Sequence, residues 1–160
     1  MNRIQAFILS TILILCACTA CETNQPPLLP LAGEWRYVGT FDHRADYICL
    51  VCNEFDYDKS LYQITFNGDK AFTAKINLLL AEGSYQNNRE RYEENQEWGY
   101  FSVTDLRILN KPPETEADGI FQQNLLDAKQ YNLVTAGDGE YDFLQLQFEE
   151  YKYLYFVRKK

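Results

Sequence analysis

Apolar and polar residues alternate along most of the chain with the period of two that marks a half-buried β-strand. Residues 34–39, 62–66 and 72–76 alternate in this way, each run bounded by turn-forming residues. Further strands are predicted at 99–106, 130–135, 141–148 and 153–157. Between the second and third strands, Asn67-Gly68-Asp69 reads as a hairpin turn, because Asn and Gly tolerate positive φ. In 141–148, Phe143, Gln145 and Gln147 share one face and Leu144, Leu146 and Phe148 the other. One segment departs from the pattern. Thr115-Glu116-Ala117-Asp118 follows Pro112-Pro113 and has the form of a helix start, and Ala117, Phe121 and Leu125 then recur at fourfold spacing with Ile120 close by. A single amphipathic helix near 115–127 is predicted to cover one face or one open end of the sheet. The polar run 86–96 reads as a solvated loop. The expected fold is therefore mostly β (α+β), an antiparallel meander sheet or a partly open barrel of about seven to eight strands with one covering helix.

The first residues carry a different pattern. Arg3 supplies a positive start, residues 4–15 are almost wholly apolar, and Cys16-Ala17-Cys18-Thr19-Ala20-Cys21 follows. This is the layout of a signal peptide, and the apolar run falls short of the roughly 20 residues that a membrane-spanning helix needs. The segment resembles a bacterial lipobox. Leu15-Cys16-Ala17-Cys18 fits at its leading residue, which makes Cys18 the expected acylated cysteine; Cys18-Thr19-Ala20-Cys21 fits at the two small positions, which makes Cys21 the alternative. The expected organisation is a lipoprotein signal over 1–17, or to 20, a lipid anchor and proline-rich spacer over 18–30, and one β domain over 31–160.

Composition sharpens this picture. At 160 residues, 46% hydrophobic, with twelve Tyr and ten Phe, the chain is expected to fold around one core. Its formal charge is -8, and the signal removes only one charged side chain, Arg3. So acidic a surface repels phosphates, and nucleic acid is not an expected partner.

Leu31-x-Gly33-x-Trp35 opens the domain, followed by 72–77, Gly83-Ser84-Tyr85, a helix with Phe121 and Leu125, then Tyr131-x-Leu133, Leu144-x-Leu146 and Leu154-x-Phe156-x-Arg158. In this order the chain resembles META-type domains, the group that includes a heat-inducible bacterial lipoprotein; Gly33-x-Trp35 is also similar to the opening of lipocalins. The sequence departs from the META pattern at Ile76, which stands where a cysteine is common, and in the five residues separating Asn77 from Gly83. The resemblance implies no catalytic residue.

Few residues could carry chemistry. Cys49 and Cys52 are the remaining cysteine pair, and export into an oxidising compartment makes a short-loop disulfide the expected state. A redox pair would need electropositive surroundings, whereas Asp42, Asp46, Glu54 and Asp56 lie nearby. His43, the one histidine, could join Asp46, Cys49 and Cys52 around zinc, although the spacing matches no standard module. Asp56-x-Asp58-x-Ser60 opens like a calcium loop but has Leu61 where Gly is required and Asn67 where Glu is required. Glu93-Glu94 and Glu149-Glu150 are adjacent, so on a strand their side chains diverge. Tyr153 and Tyr155 are expected on one face, with Leu154 and Phe156 in the core. No catalytic residue, metal or cofactor is expected. The reading is a lipid-anchored protein of the bacterial cell envelope, on the periplasmic face or at the outer membrane. It acts as a non-catalytic interaction or stability module for an unknown envelope protein, or alternatively as a lipocalin-like carrier of a small apolar ligand.

Overall fold

Eight strands, each hydrogen-bonded to its neighbours in sequence, close on themselves as an antiparallel barrel in a computed structural model that describes residues 31–44, 56–135 and 137–160. They are β1 (Gly33–Asp42), β2 (Tyr62–Phe66), β3 (Ala71–Ile76), β4 (Leu79–Glu93), β5 (Gln96–Ile108), β6 (Gln130–Thr135), β7 (Tyr141–Glu149) and β8 (Lys152–Lys159), with helix α1 (Glu116–Leu126) between β5 and β6. The mostly β fold with one covering helix agrees with the sequence reading. The barrel is closed, because β1 pairs with β8 from Arg36 opposite Val157 to Asp42 opposite Lys152. Closure leaves no open edge along that seam. The seam is braced from both ends of the chain. Trp35 is fully buried and donates its indole N–H to the Leu31 carbonyl at 2.7 Å. The Arg158 guanidinium lies 4.5 Å over the Trp35 ring while bonding Asp142 at 2.6 Å and the Ala32 carbonyl at 2.7 Å.

The 86–96 run is not a loop. It is the far half of β4 and its turn into β5, paired from Gln86 opposite Ser102 to Glu93 opposite Gln96. Its polarity misled because neither face of this stretch is apolar: Arg89 turns to the buried Glu97 while Gln86, Asn88 and Glu90 are exposed. Asn95 makes the turn at φ 65°, a conformation Asn tolerates. The hairpin at 67–70 is present as expected, but its left-handed residue is Lys70, at φ 67°.

Helix α1 starts where its capping pattern places it. The Asp118 N–H donates to the Thr115 hydroxyl at 3.2 Å and the Thr115 N–H to the Asp118 carboxylate at 2.8 Å, a reciprocal capping box. The buried stripe is Asp118, Phe121 and Leu125, continued by Ala128, whereas Ala117 and Ile120 are exposed. The expected stripe was thus displaced at its start, because Asp118 is held inward by the Tyr62 hydroxyl at 2.8 Å. Since β6 pairs only with the first five residues of β5, Gln96 to Tyr100, α1 covers the barrel end beyond them. Phe121 packs there on Tyr37 and Tyr62, each with a ring centroid at 5.0 Å.

Inward-facing residues fill the barrel. Trp35, Ile64, Phe66, Phe72, Phe101, Leu133, Leu144, Leu146, Leu154 and Phe156 are buried and belong to one cluster. Rings meet across the interior, with Tyr85 4.8 Å from Phe66 and 5.8 Å from Phe101. The predicted alternation holds in β7 and β8: Leu144, Leu146, Leu154 and Phe156 point inward, and Gln145, Gln147, Tyr153 and Tyr155 lie on the other face.

Candidate functional site

The outward faces of β5 to β8 form an ordered block. Cross-strand register places Trp98, Asn132, Gln145 and Tyr155 on one rung, and Tyr100, Gln130, Gln147 and Tyr153 on the next rung of the same face. Each rung reads aromatic, amide, amide, aromatic. The amides are linked laterally: Gln96 donates to the Asn132 carbonyl oxygen at 3.0 Å, and Asn132 donates to that of Gln145 at 3.2 Å. This relay leaves the NH2 group of Gln145 outside it, and with it the second N–H of Asn132.

A depression of about 230 Å³ lies over this block, floored by the four amides and flanked by Trp98 on β5 and by Tyr153 with His43 on the other side. Among the described residues, none with a formal charge lines it. A second depression of about 220 Å³ adjoins it through Gln130 and Gln147 and is bordered by Phe148, Lys129, Glu149 and Glu150. The aromatic walls are braced from outside. The His43 ring lies 4.5 Å from that of Tyr153, and the His43 backbone N–H donates to the Tyr151 carbonyl at 2.8 Å. The Arg91 guanidinium lies 5.1 Å over the Trp98 ring.

Behind the wall, on the inner side of β5 and β6, Glu97 is wholly buried. It accepts a hydrogen bond from the Tyr131 hydroxyl and lies 3.9 Å from the Arg89 guanidinium. Burial, together with the bond to Glu97 and its charge, raises the Tyr131 phenol well above the ordinary range. Gly99 lets β4 approach this region: a Cβ there would lie 2.0 Å from the Asn88 carbonyl oxygen.

The sequence candidates are scattered. Cys18, Cys21, Asp46, Cys49 and Cys52 lie outside the described residues. Asp56 caps a single 3₁₀ turn, Tyr57–Lys59, and its carboxylate pairs with Lys59 at 2.7 Å. Ser60 turns its hydroxyl to the backbone carbonyls of Tyr37 and Tyr62, at 3.0 and 2.9 Å. Glu93 pairs with Arg91, and Glu149 with Lys152. Trp98, Tyr100, Gln130 and Asn132 were not singled out by the sequence. Their alternation was visible, but the register that makes them neighbours was not.

A further surface feature lies at the end of the barrel covered by α1. Leu61, Leu78, Leu80 and Leu109 are exposed there, tied together by the Asn77 N–H to the Leu61 carbonyl at 2.9 Å and the Leu109 N–H to the Leu80 carbonyl at 2.8 Å.

No family model matches the chain, and no curated protein matches it. Among solved structures, the chain is similar to the crystal structure of a DUF4847 family protein from Bacteroides vulgatus ATCC 8482. The two are 22% identical, with a TM-score of 0.48, over 81% of this chain and 94% of that one.

Proposed function

We propose that the protein is a non-catalytic binding module, held at a bacterial envelope membrane by a lipid on Cys18 or Cys21, whose working surface is the outer wall of β5 to β8. The observation that carries this reading is the filled barrel. A carrier of an apolar ligand needs interior volume, and here Trp35, Phe66, Phe72, Phe101 and Phe156 occupy the interior together with the leucines around them. The non-catalytic reading draws support from Glu97, whose carboxylate is enclosed with Tyr131 and Arg89 away from solvent. Kinship with META-type domains remains part of the proposal and rests on the motif order from Leu31 to Arg158.

Metabolic labelling with palmitate, followed by native mass spectrometry of the detergent-released protein, tests the reading. The expected result is label that is lost in Cys18→Ser or in Cys21→Ser, and a protein mass without a co-purified apolar ligand. A mass two hydrogens below that of the free dithiol would further support the Cys49–Cys52 disulfide. A stoichiometric lipid-like ligand bound beyond the anchor would favour the carrier.

A further inference from the structure

We propose that the outer wall binds a neutral carbohydrate chain, with one sugar ring over Asn132 and Gln145 and the next over Gln130 and Gln147. The inference deepens the reading as a binding module and rests on it. A pyranose presents hydroxyls around its rim, each able to donate and to accept, and C–H bonds on its faces. Side-chain amides supply donor and acceptor together without charge, which suits such hydroxyls. Aromatic faces offer apolar area for the C–H side, and Trp98 and Tyr153 stand on opposite flanks of the first depression. Its small size, about 230 Å³, suits a single ring, and the adjoining 220 Å³ reached through Gln130 and Gln147 provides for a second. A chain of sugars therefore fits this wall better than a single one.

Other ligand classes fit less well. A phosphate finds no lysine or arginine lining the first depression, and in the second Lys129 is opposed by Glu149 and Glu150. An extended peptide would pair with a strand edge, but at the two rungs every strand from β5 to β8 is already paired on both sides. An apolar molecule would strip the amides of water and return no hydrogen bonds. The block is also distinct from an ordinary solvated sheet face. On the outer side of β3 to β5 stand Lys75, Glu82 and Arg107, with Arg107 paired to Glu82. The amide relay from Gln96 through Asn132 to Gln145 and the braced rings of Trp98 and Tyr153 hold the site in place before a ligand arrives.

The test uses the full lipoprotein in a detergent without a sugar headgroup. Neutral gluco-, galacto-, manno- and xylo-configured sugars, from mono- to tetrasaccharides, are titrated in, with oligogalacturonides as the charged control. Calorimetry reads affinity and intrinsic fluorescence reads the site, since of the two tryptophans Trp35 is fully enclosed and Trp98 faces the ligand. At least one neutral oligosaccharide is expected to bind, more tightly as tetrasaccharide than as monosaccharide and more tightly than the charged control. Asn132→Ala and Tyr153→Ala should each weaken it by about tenfold or more, with the fold retained by circular dichroism at the titration temperature because both side chains lie on the outer face of the barrel. Trp98→Phe should abolish the fluorescence response. The inference is overturned if no neutral sugar binds at about 10 mM, or if affinity is the same in Asn132→Ala and Tyr153→Ala; either result leaves the binding-module reading standing for another partner. Cleavage of the bound oligosaccharide would instead uphold the sugar site and overturn the non-catalytic reading.

Discussion

Gly99 carries no side chain because none fits: a Cβ would meet the Asn88 carbonyl oxygen at 2.0 Å and the Arg89 Cα at 2.9 Å, both backbone atoms. Gly99→Ala must push β4 away from β5. We expect a loss of about 1–3 kcal/mol or more, read as a lower urea midpoint. A midpoint equal to that of the parent would mean that the two strands are not so close. Tyr131→Phe tests the enclosed pair beneath the wall. It removes the hydroxyl that serves the buried Glu97 and should cost about 1–3 kcal/mol. Tyr131→Phe with Glu97→Gln should not be additive, because both changes act on one hydrogen bond. At this scale the sequence was informative about residue type and silent about company. Gln145 and Gln147 were legible as sharing a face, as were Tyr153 and Tyr155. That Asn132 lies opposite Gln145, and Trp98 opposite Asn132, depends on cross-strand register, which no local pattern in this chain encodes.

Helix α1 is fastened by one hydrogen bond that titrates at both extremes. Burial pushes the Asp118 carboxyl up, but the Thr115 N–H, the Tyr62 hydroxyl and the Asn77 side chain outweigh this and hold it below its ordinary value of 3.8. Tyr62 is pushed up to about 12 by burial and by its bond to the Asp118 carboxylate and that group's charge. The signs follow. The Asp118 contribution is present above pH 3.8 and is lost as pH falls through the lower folded value. The Tyr62 contribution is present below pH 10.0 and is lost as pH rises through about 12. Melting followed by circular dichroism should therefore show that Asp118→Asn is least destabilising relative to the parent in acid, and Tyr62→Phe least so in alkali. Parallel pH profiles for parent and variants would contradict the fastening. Thr115→Ala should cost about 1 kcal/mol through the lost cap. The cap was legible from Thr115-x-x-Asp118, whereas the inward turn of Asp118 was not, because an acidic residue reads as surface until its partner Tyr62 is known. β4 went unread for a related reason. Its far half faces water on one side and the buried Glu97 on the other, so polarity alternated with polarity and no strand signal remained.

At the scale of the whole molecule, the described residues form a closed barrel whose inward side chains make one buried cluster, which is the basis for placing the proposed ligand on its outer wall. The Trp35, Arg158 and Asp142 seam closes the first strand on the last, α1 covers one end, and aromatic rings fill the space between. Closure was the part of the architecture that the sequence left open, since a meander and a barrel have the same strands and differ only in whether β1 meets β8. The exposed leucines at the α1 end and the amide wall along β5 to β8 are separate surfaces, so the proposed ligand on the flank and the proposed lipid anchor need not compete for the same face. The two indole N–H signals of an ¹⁵N-labelled sample report inside and outside separately, which makes NMR titration with the tightest neutral oligosaccharide, and in parallel with a long-chain fatty acid, the most direct measurement. The sugar should shift the Trp98 indole and the side-chain amides of Asn132, Gln145, Gln130 and Gln147, while the Trp35 indole stays fixed with either titrant. Movement of the Trp35 indole and of the inward Leu133, Leu144 and Leu146 methyls on adding fatty acid would show a ligand entering the barrel, and would contradict the solid-core account.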